Sequence, residues 1–562
     1  MKPNTLAFPM NVYSALLDHH YGQSDYLCYG HGVDDNGNRL TDVHAAQALA
    51  VNQLMAALPG SESEVLVLTR GPGRLAQDIA NAGHRPRLLT TYALGADRPE
   101  WNNSLDRIVI QDCLQATGLL QLLGQATDWL RVDGYILLSD EFAVSRQVPD
   151  PQAMLTLESV ERVVRRFGFS MEVRRDNTEA VRAFLPMLTD LFGRYHSVLP
   201  ELTKERPETL DALERELQRE LRRYENGSRE HLLLELRRTD GQLPGKEEPV
   251  IVGMDQCTSD KVQALFDHCF GGSFDEALWH WKYGEGRGQA IGVIQNGQLI
   301  AHYGGAARSI RYFGETTSAM QICDVMVMPG KRGFYSRRGH FFTTAATFLD
   351  MHVGYNARHL LGFGFPNLKA MHVAARLGLY NKTDDFIEIR FAGLSGGSTD
   401  IQCSIDDGSV IDRPEYDVLW QSLSGRLINA IVGERCADYM DYRYRNHPGG
   451  HYRFVCLRQA DGELLALAVV REHELRCLLM DIVAAPEDIS RCLPVLAEFL
   501  HMSLQMPLKC WITAGHAHWF DAPGSVRHDC GIEIPCNTWS AGPPAERLQG
   551  AWWLTAGDMD FL

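Results

Sequence analysis

Over residues 1–195, short apolar runs alternate with helical patterns, as they do in a doubly wound sheet. Strands are expected at 64–68, 87–91, 107–110 and 134–139, with helices at 43–57, 74–82 and 119–130 between them. The pattern then changes. Residues 201–238 are dense in Glu, Arg and Leu, with Leu210, Leu213, Leu217, Leu221 and Tyr224 at helical spacing. That spacing predicts an amphipathic connector helix packed on a neighbour. A polar Gly/Pro stretch at 241–249 marks a boundary.

A second pattern begins at residue 250. A helix at 260–270 and an aromatic run at 279–283 precede strands at 290–295, 299–307, 309–313 and 317–328, with Asn296–Gly297 as a hairpin turn. An apolar helix at 341–353, a strand at 359–365 and a helix ending at Leu377–Gly378–Leu379 follow. Past a Gly/Ser-rich stretch at 393–399 the order of elements repeats: helix, strands at 452–458, 464–471 and 475–483, a helix at 489–502 and a strand at 509–513. Trp552 and Trp553 predict a docked closing strand. The expectation is an α/β multidomain chain with domains at 1–195, 250–395 and 396–562 and a helical connector at 196–249.

Composition narrows the classes. The 54 basic and 71 acidic residues leave a formal charge of −17, which argues against general nucleic-acid or anionic-membrane partners. The 13 cysteines include no C-x-x-C pair, so reduced thiols are expected and a zinc site is not. The first ten residues lack the long apolar core of a signal peptide, and no stretch has membrane-spanning length; a cytoplasmic location is the expectation. Oligomeric state is not legible.

The densest chemistry lies at 321–339. A strand rich in Val, Ile and Met stops at Pro329 and opens into a basic, glycine-containing loop before a helix. Free N–H groups, helix dipole and arginines together favour a pyrophosphate. Val327, Pro329, Arg332 and Gly333 fit the pattern V-x-P-x-x-R-G, and Asn367, Ala370, Leu377 and Gly378 fit N-x-x-A-(x)6-L-G. On these residues the segment resembles the GNAT acyltransferase family. The resemblance implies α+β folds in tandem and binding of acetyl- or another acyl-coenzyme A. Lys331, Arg332, Gly333, Arg337, Arg338 and Gly339 become the pyrophosphate candidates; Val327 and Met328 would offer backbone groups to the pantetheine and carbonyl, and Asn367 would join the coenzyme site. Asp324 is the first candidate base, with His302 and then His372 behind it. Ala374 stands where the family often has its thiolate-protonating tyrosine, and Tyr380 is the candidate substitute.

Residues 65–76 form a strand, a turn bearing Gly71 and Gly73, and a helix. With the strands that follow, this unit resembles a Rossmann-like class I methyltransferase, which implies S-adenosylmethionine. Acidic residues expected before the first glycine and after the second strand are replaced by Val67, Thr69, Thr90 and Thr91. Poor binding of that cofactor is therefore expected. Asp140 and Glu141, just past the strand at 134–139, are candidate substrate contacts or helix caps.

Three functions stay open: an acyltransferase acting on an amine of a small metabolite, peptide or sugar precursor; a methyltransferase on a GNAT-like scaffold; and a non-catalytic assembly protein. An acyl-carrier protein is a further candidate partner, because methyltransferase and GNAT units also pair in polyketide loading modules.

Overall fold

Val65, Leu66, Val67 and Leu68 are buried to the last atom, as an inner strand covered by helices on both faces must be. They belong to the first of two compact units, residues 1–146 with 154–252; the second comprises 147–153 with 253–562. The computed structural model describes residues 9–23, 25–60, 62–70, 73–90, 98–144, 154–239, 248–272, 274–331, 336–355, 357–391, 400–406 and 413–559.

In the first unit, α1 (Met10–Tyr21) and α2 (Val43–Ala56) precede β1 (Glu64–Thr69), α3 (Arg74–Asn81) and β2 (Arg85–Thr90). Then come β3 (Leu105–Gln111), α4 (Leu114–Thr117), α5 (Leu119–Trp129), β4 (Leu130–Ala143), α6 (Leu157–Arg166) and β5 (Phe169–Asp176). The unit closes with α7 (Thr178–Tyr195), α8 (Leu199–Thr203), α9 (Pro207–Glu225), β6 (Arg229–Arg238) and the short β7 (Val250–Val252). Strand order is β2-β1-β3-β4-β6-β5. The strands run parallel except β6, which is antiparallel to both neighbours. This is a Rossmann-like doubly wound sheet with one reversed strand.

The connector at 196–249 needs correction. Helix α9 buries Leu210, Leu213, Leu217 and Tyr224 in the core of the first unit, beside Phe184 and Leu191 of α7. Strand β6 fills an interior position of the sheet, with Leu232, Leu233, Leu234 and Leu236 buried. The segment completes the domain instead of linking two domains, because β4 and β5 need a strand between them to satisfy their facing backbone groups.

In the second unit, α10 (Ser259–Phe270) and α11 (Glu276–Tyr283) lead into β8 (Gly288–Gln295), β9 (Gln298–Tyr312) and β10 (Glu315–Val327). These are followed by α12 (His340–His352), β11 (Leu361–Gly364), α13 (Leu368–Arg376) and β12 (Tyr380–Phe391). The later part contains β13 (Ile401–Asp406), α14 (Arg413–Arg426), β14 (Ile431–Gly433), α15 (Ala437–Met440), β15 (Arg453–Gln459), β16 (Leu464–His473) and β17 (Arg476–Ala484). It ends with α16 (Pro486–Leu504), β18 (Leu508–Thr513), β19 (Ser525–Asn537), α17 (Ala545–Leu548) and β20 (Trp552–Trp553). Asn296 and Gly297 make the expected hairpin turn, both with positive φ.

The two strands expected at 299–307 and 309–313 are one continuous strand, β9. Arg308 sits inside it, buried, because its Nε donates to Gln321 Oε1 on β10 at 2.8 Å.

Two GNAT-like sheets result, ordered β11-β10-β9-β14-β20, with β8 also on β9, and β13-β15-β16-β17-β18-β12-β19. The expected boundary at 395/396 is not a clean one, because the halves exchange strands. Strand β12 leaves α13 and inserts between β18 and β19, while β14 and β20 extend the first sheet. Among the described residues no helix is long and apolar enough to cross a membrane.

Where the halves meet, Arg435 is fully buried between Asp481 (3.1 Å) and Asp558 (2.7 Å), and Tyr444 donates to Asp481 at 3.2 Å. Arg435→Met leaves two buried carboxylates without their cation and should cost about 3–5 kcal/mol, read as a lower urea midpoint. Adding Asp481→Asn and Asp558→Asn should recover part of that loss. A single variant with the parent's midpoint would show that the network carries no stability.

Candidate functional site

Strand β10 is the axis of the site. It pairs with β9 on one side, and Ala319 to Ile322 pair in parallel with β11 on the other. Between Cys323 and Met326 the β9 register slips, so that Asp324 and Val325 oppose Tyr303 alone. One extra residue bends a strand locally. Asp324 takes φ 50°, a left-handed conformation that Asp accepts more readily than most residues.

Past the bulge β10 stays with β9, where the Met328 N–H donates to the Ile300 carbonyl at 2.8 Å. Strand β11 instead ends at Gly364 and turns into α13. Antiparallel alternation directs the Val327 peptide groups away from β9, to the side this gap lies on, and the Val327 carbonyl there accepts from Cys269 Sγ at 3.5 Å. The gap is a cleft of about 230 Å³, with Met326 and Val327 on one side and Asn367, Ala370 and Val373 on the other. Val325 and Phe270 also line it and are 37% and 61% exposed, apolar surface that a ligand would cover.

The second sequence motif is a helix start and stop. Asn367 caps α13, its side chain accepting from the Ala370 N–H at 2.9 Å, and Gly378 ends the helix at φ 79°. The first motif leads to α12, whose N-cap Gly339 makes no side-chain capping bond. The opening turn, His340–Phe341–Phe342–Thr343, carries no acid; the Thr343 N–H is spent on the Gly339 carbonyl, and the N–H groups of the first three residues and the dipole suit an anion. Burial lowers the titration of His340, and the ammonium of Lys331 lowers it further.

The remaining loop candidates divide. Arg338 is exposed. Arg337 donates to the Leu377 carbonyl at 3.4 Å and lies 5.8 Å from the rings of Phe342 and Trp539, so it ties loop to protein. Arg332 and Gly333 lie outside the described residues, as does Gly71.

Asp324 is held by three groups. Lys282 Nζ donates to both carboxylate oxygens, at 2.8 and 2.7 Å, and the Tyr283 hydroxyl donates to Oδ2 at 2.9 Å. The Nδ1 of His302 donates to the Asp324 carbonyl at 2.7 Å. Burial works to raise the carboxyl's titration, but the Lys282 ammonium overrides it, so the net shift is downward. Burial lowers that of His302, whose Nε2 is enclosed without a partner. An ion-paired carboxylate of lowered pKa is a poor acceptor for an ammonium proton, which weakens the base role expected of Asp324.

Residues 254–354, spanning α10 to α12, the bulge and the helix start, match the family of acetyltransferase (GNAT) domains. The second unit contains a GNAT acetyltransferase domain. Solved structures similar to the chain include a conserved protein of unknown function and probable N-acyltransferase from Enterococcus faecalis V583, at 12% identity over 51% of this chain and 72% of that one, TM-score 0.39. A GCN5-related N-acetyltransferase from Kribbella flavida aligns at 13% identity over 52% and 71%, TM-score 0.38. A putative sarcosine dimethylglycine methyltransferase from Galdieria sulphuraria aligns at 12% identity over 41% and 98%, TM-score 0.34. No curated protein matches by sequence.

Asp324 and His302 are not among the residues that line the cleft, and the other catalytic candidates lie away from it too. Tyr380 is buried at the start of β12 with its hydroxyl on that of Tyr303, and it does not line the cleft. His372 is exposed on α13. Lys282 and Tyr283 were hidden inside an aromatic run; a lysine between Trp281 and Tyr283 was the available signal.

In the first unit, Gly73 caps α3 at φ 62°, where an added Cβ would approach Leu88 to 3.2 Å. Strand β2 ends at Thr90.

Lys282→Met should undo the downward shift of Asp324. In the parent, the stability from that shift is fully present above about pH 4, the ordinary carboxyl value, and fades as pH falls through the lower folded value. The variant should be less stable at pH 7, with the gap closing toward about pH 2. A gap independent of pH, measured by urea unfolding, would refute the pairing.

Proposed function

We propose that the second unit transfers an acyl group from an acyl-coenzyme A to an amine. The observation that carries this reading is the departure of β11 from β10, which leaves the Val327 peptide group facing a cleft near the uncapped start of α12. Coenzyme A fits the residues present. Its pyrophosphate suits the first turn of α12 with Lys331 and Arg338. Its extended amide arm suits the side of β10 that β11 leaves past the bulge, as an added strand would. When bound, the coenzyme supplies an activated thioester.

The chain's own groups have separable parts in the transfer. Asp324, its charge met by Lys282, holds the bulge that opens the cleft, with Lys282 and Tyr283 fixing its direction. Proton removal from the incoming ammonium then falls to water. A basic helix start favours coenzyme A as donor over an acyl-carrier protein, whose arm ends in a single phosphodiester. The acceptor class is an amine of a small metabolite or peptide.

Lys331→Ala with Arg338→Ala should weaken acetyl-coenzyme A at least tenfold, about 1.4 kcal/mol, in calorimetry. Unchanged affinity would remove the pyrophosphate from the start of α12. Val325→Trp, which fills the cleft from an exposed position, should abolish binding with little change in melting temperature; a variant that still binds would place the coenzyme elsewhere.

A further inference from the structure

A second cavity, about 140 Å³, opens in the first unit where β1, β3 and β4 end. That volume holds roughly ten water-sized groups. Tyr13, Leu17, Phe184 and Leu188 give it apolar and aromatic walls, and three carboxylates, Asp112, Asp140 and Glu141, face one guanidinium, Arg70.

Two of the three carboxylates have structural work. Asp140 accepts from the Leu114 N–H at 2.7 Å, capping α4, and from the Glu141 N–H at 2.9 Å. Asp112 accepts from the Tyr29 N–H at 2.7 Å and pairs with His231 Nε2 at 2.8 Å. Glu141 is different: the Tyr224 hydroxyl reaches it only at a long 3.4 Å. Gln47, only 3% exposed, spends its Nε2 on the Cys28 carbonyl at 2.9 Å and leaves Oε1 enclosed without a partner. The same cavity thus has two acceptors short of donors, and one of them is acidic. Buried acceptors left unmatched are costly.

We propose that this chamber binds a small organic ammonium ion with an apolar body, its charge met by Glu141 and one of its N–H groups by Gln47 Oε1. An ammonium brings several donors and a positive charge, and the ring-lined wall suits both its body and its charge. Burial raises the carboxyl of Glu141, and Glu220 and Asp140 raise it further while Arg229 works the other way. A ligand cation would relieve that accumulation of negative charge.

The probes are 2-phenylethylamine and its neutral isostere 2-phenylethanol, titrated calorimetrically into the full chain, with S-adenosylmethionine as a third arm. The amine should bind at least tenfold more tightly than the alcohol. Glu141→Gln, which keeps the shape and removes a buried charge, should erase that preference and leave the alcohol unchanged. Gln47→Leu should weaken the amine by about threefold or more and provides a second test if the first variant does not fold. Equal binding of amine and alcohol, no amine binding at millimolar concentration, full amine affinity in either folded variant, or binding of S-adenosylmethionine alone would each overturn the proposal.

Discussion

A β-strand cannot pair on both edges and also open a binding cleft, and the bulge at Asp324 resolves that conflict. Its extra residue lets β10 keep its ladder with β9 while β11 turns off at Gly364. The left-handed backbone at Asp324 is strained for a side-chain-bearing residue, and Lys282, Tyr283 and His302 hold it from three directions. The cleft, the direction of the Val327 peptide and the position of Asn367 all depend on this one slip in register. Gly304 belongs to the same construction: a Cβ there would fall 2.1 Å from the Tyr283 hydroxyl and 2.7 Å from the His302 ring, so only glycine leaves room for both.

The cleft forgoes ladder bonds in the centre of a sheet, and the surroundings hold β10 by other means. Gln321, buried on β10, donates to the Asp558 carbonyl at 2.7 Å and accepts from Arg308. Asp558 is in turn bound to Arg435, which meets Asp481. A polar chain therefore runs from the central strand to the buried turn after β20. Such networks do more to select one arrangement than to raise net stability. Here the selected arrangement is the exchange of strands between the two halves.

Local patterns reveal the elements well and their partners poorly. The hairpin at Asn296–Gly297, the helix that Asn367 opens and Gly378 closes, and the basic approach to α12 could each be read from a few neighbouring residues, because capping and turn chemistry act over one helical turn. The course of β12, β14 and β20 could not, since strand periodicity states which face is buried and not which strand lies alongside. The leucine spacing in α9 is real, but it gave no sign that β6 would enter the first sheet. Of the site residues, Asp324 was legible as a costly strand carboxylate. Its counter-ion was not, because Lys282 lies on a helix about forty positions earlier in the chain. Arg337 looked like an anion ligand from composition alone, and only geometry shows it turned to Leu377.

The exchanged strands also bear on how the molecule is made. Strand β9 forms early in synthesis of the second unit, yet its neighbours β14 and β20 lie far downstream, and β20 holds Trp552 and Trp553. Closing loops of that length is entropically slow and leaves residues 310–312 of β9, beyond the stretch that β8 covers, without a neighbour while the ribosome works. The first sheet can therefore settle only after nearly all of the second unit has emerged. Formation of the sheet that carries the cleft is then coupled to synthesis through β20, and a nascent chain arrested before Ile431 would leave residues 310–312 of β9 without their neighbour.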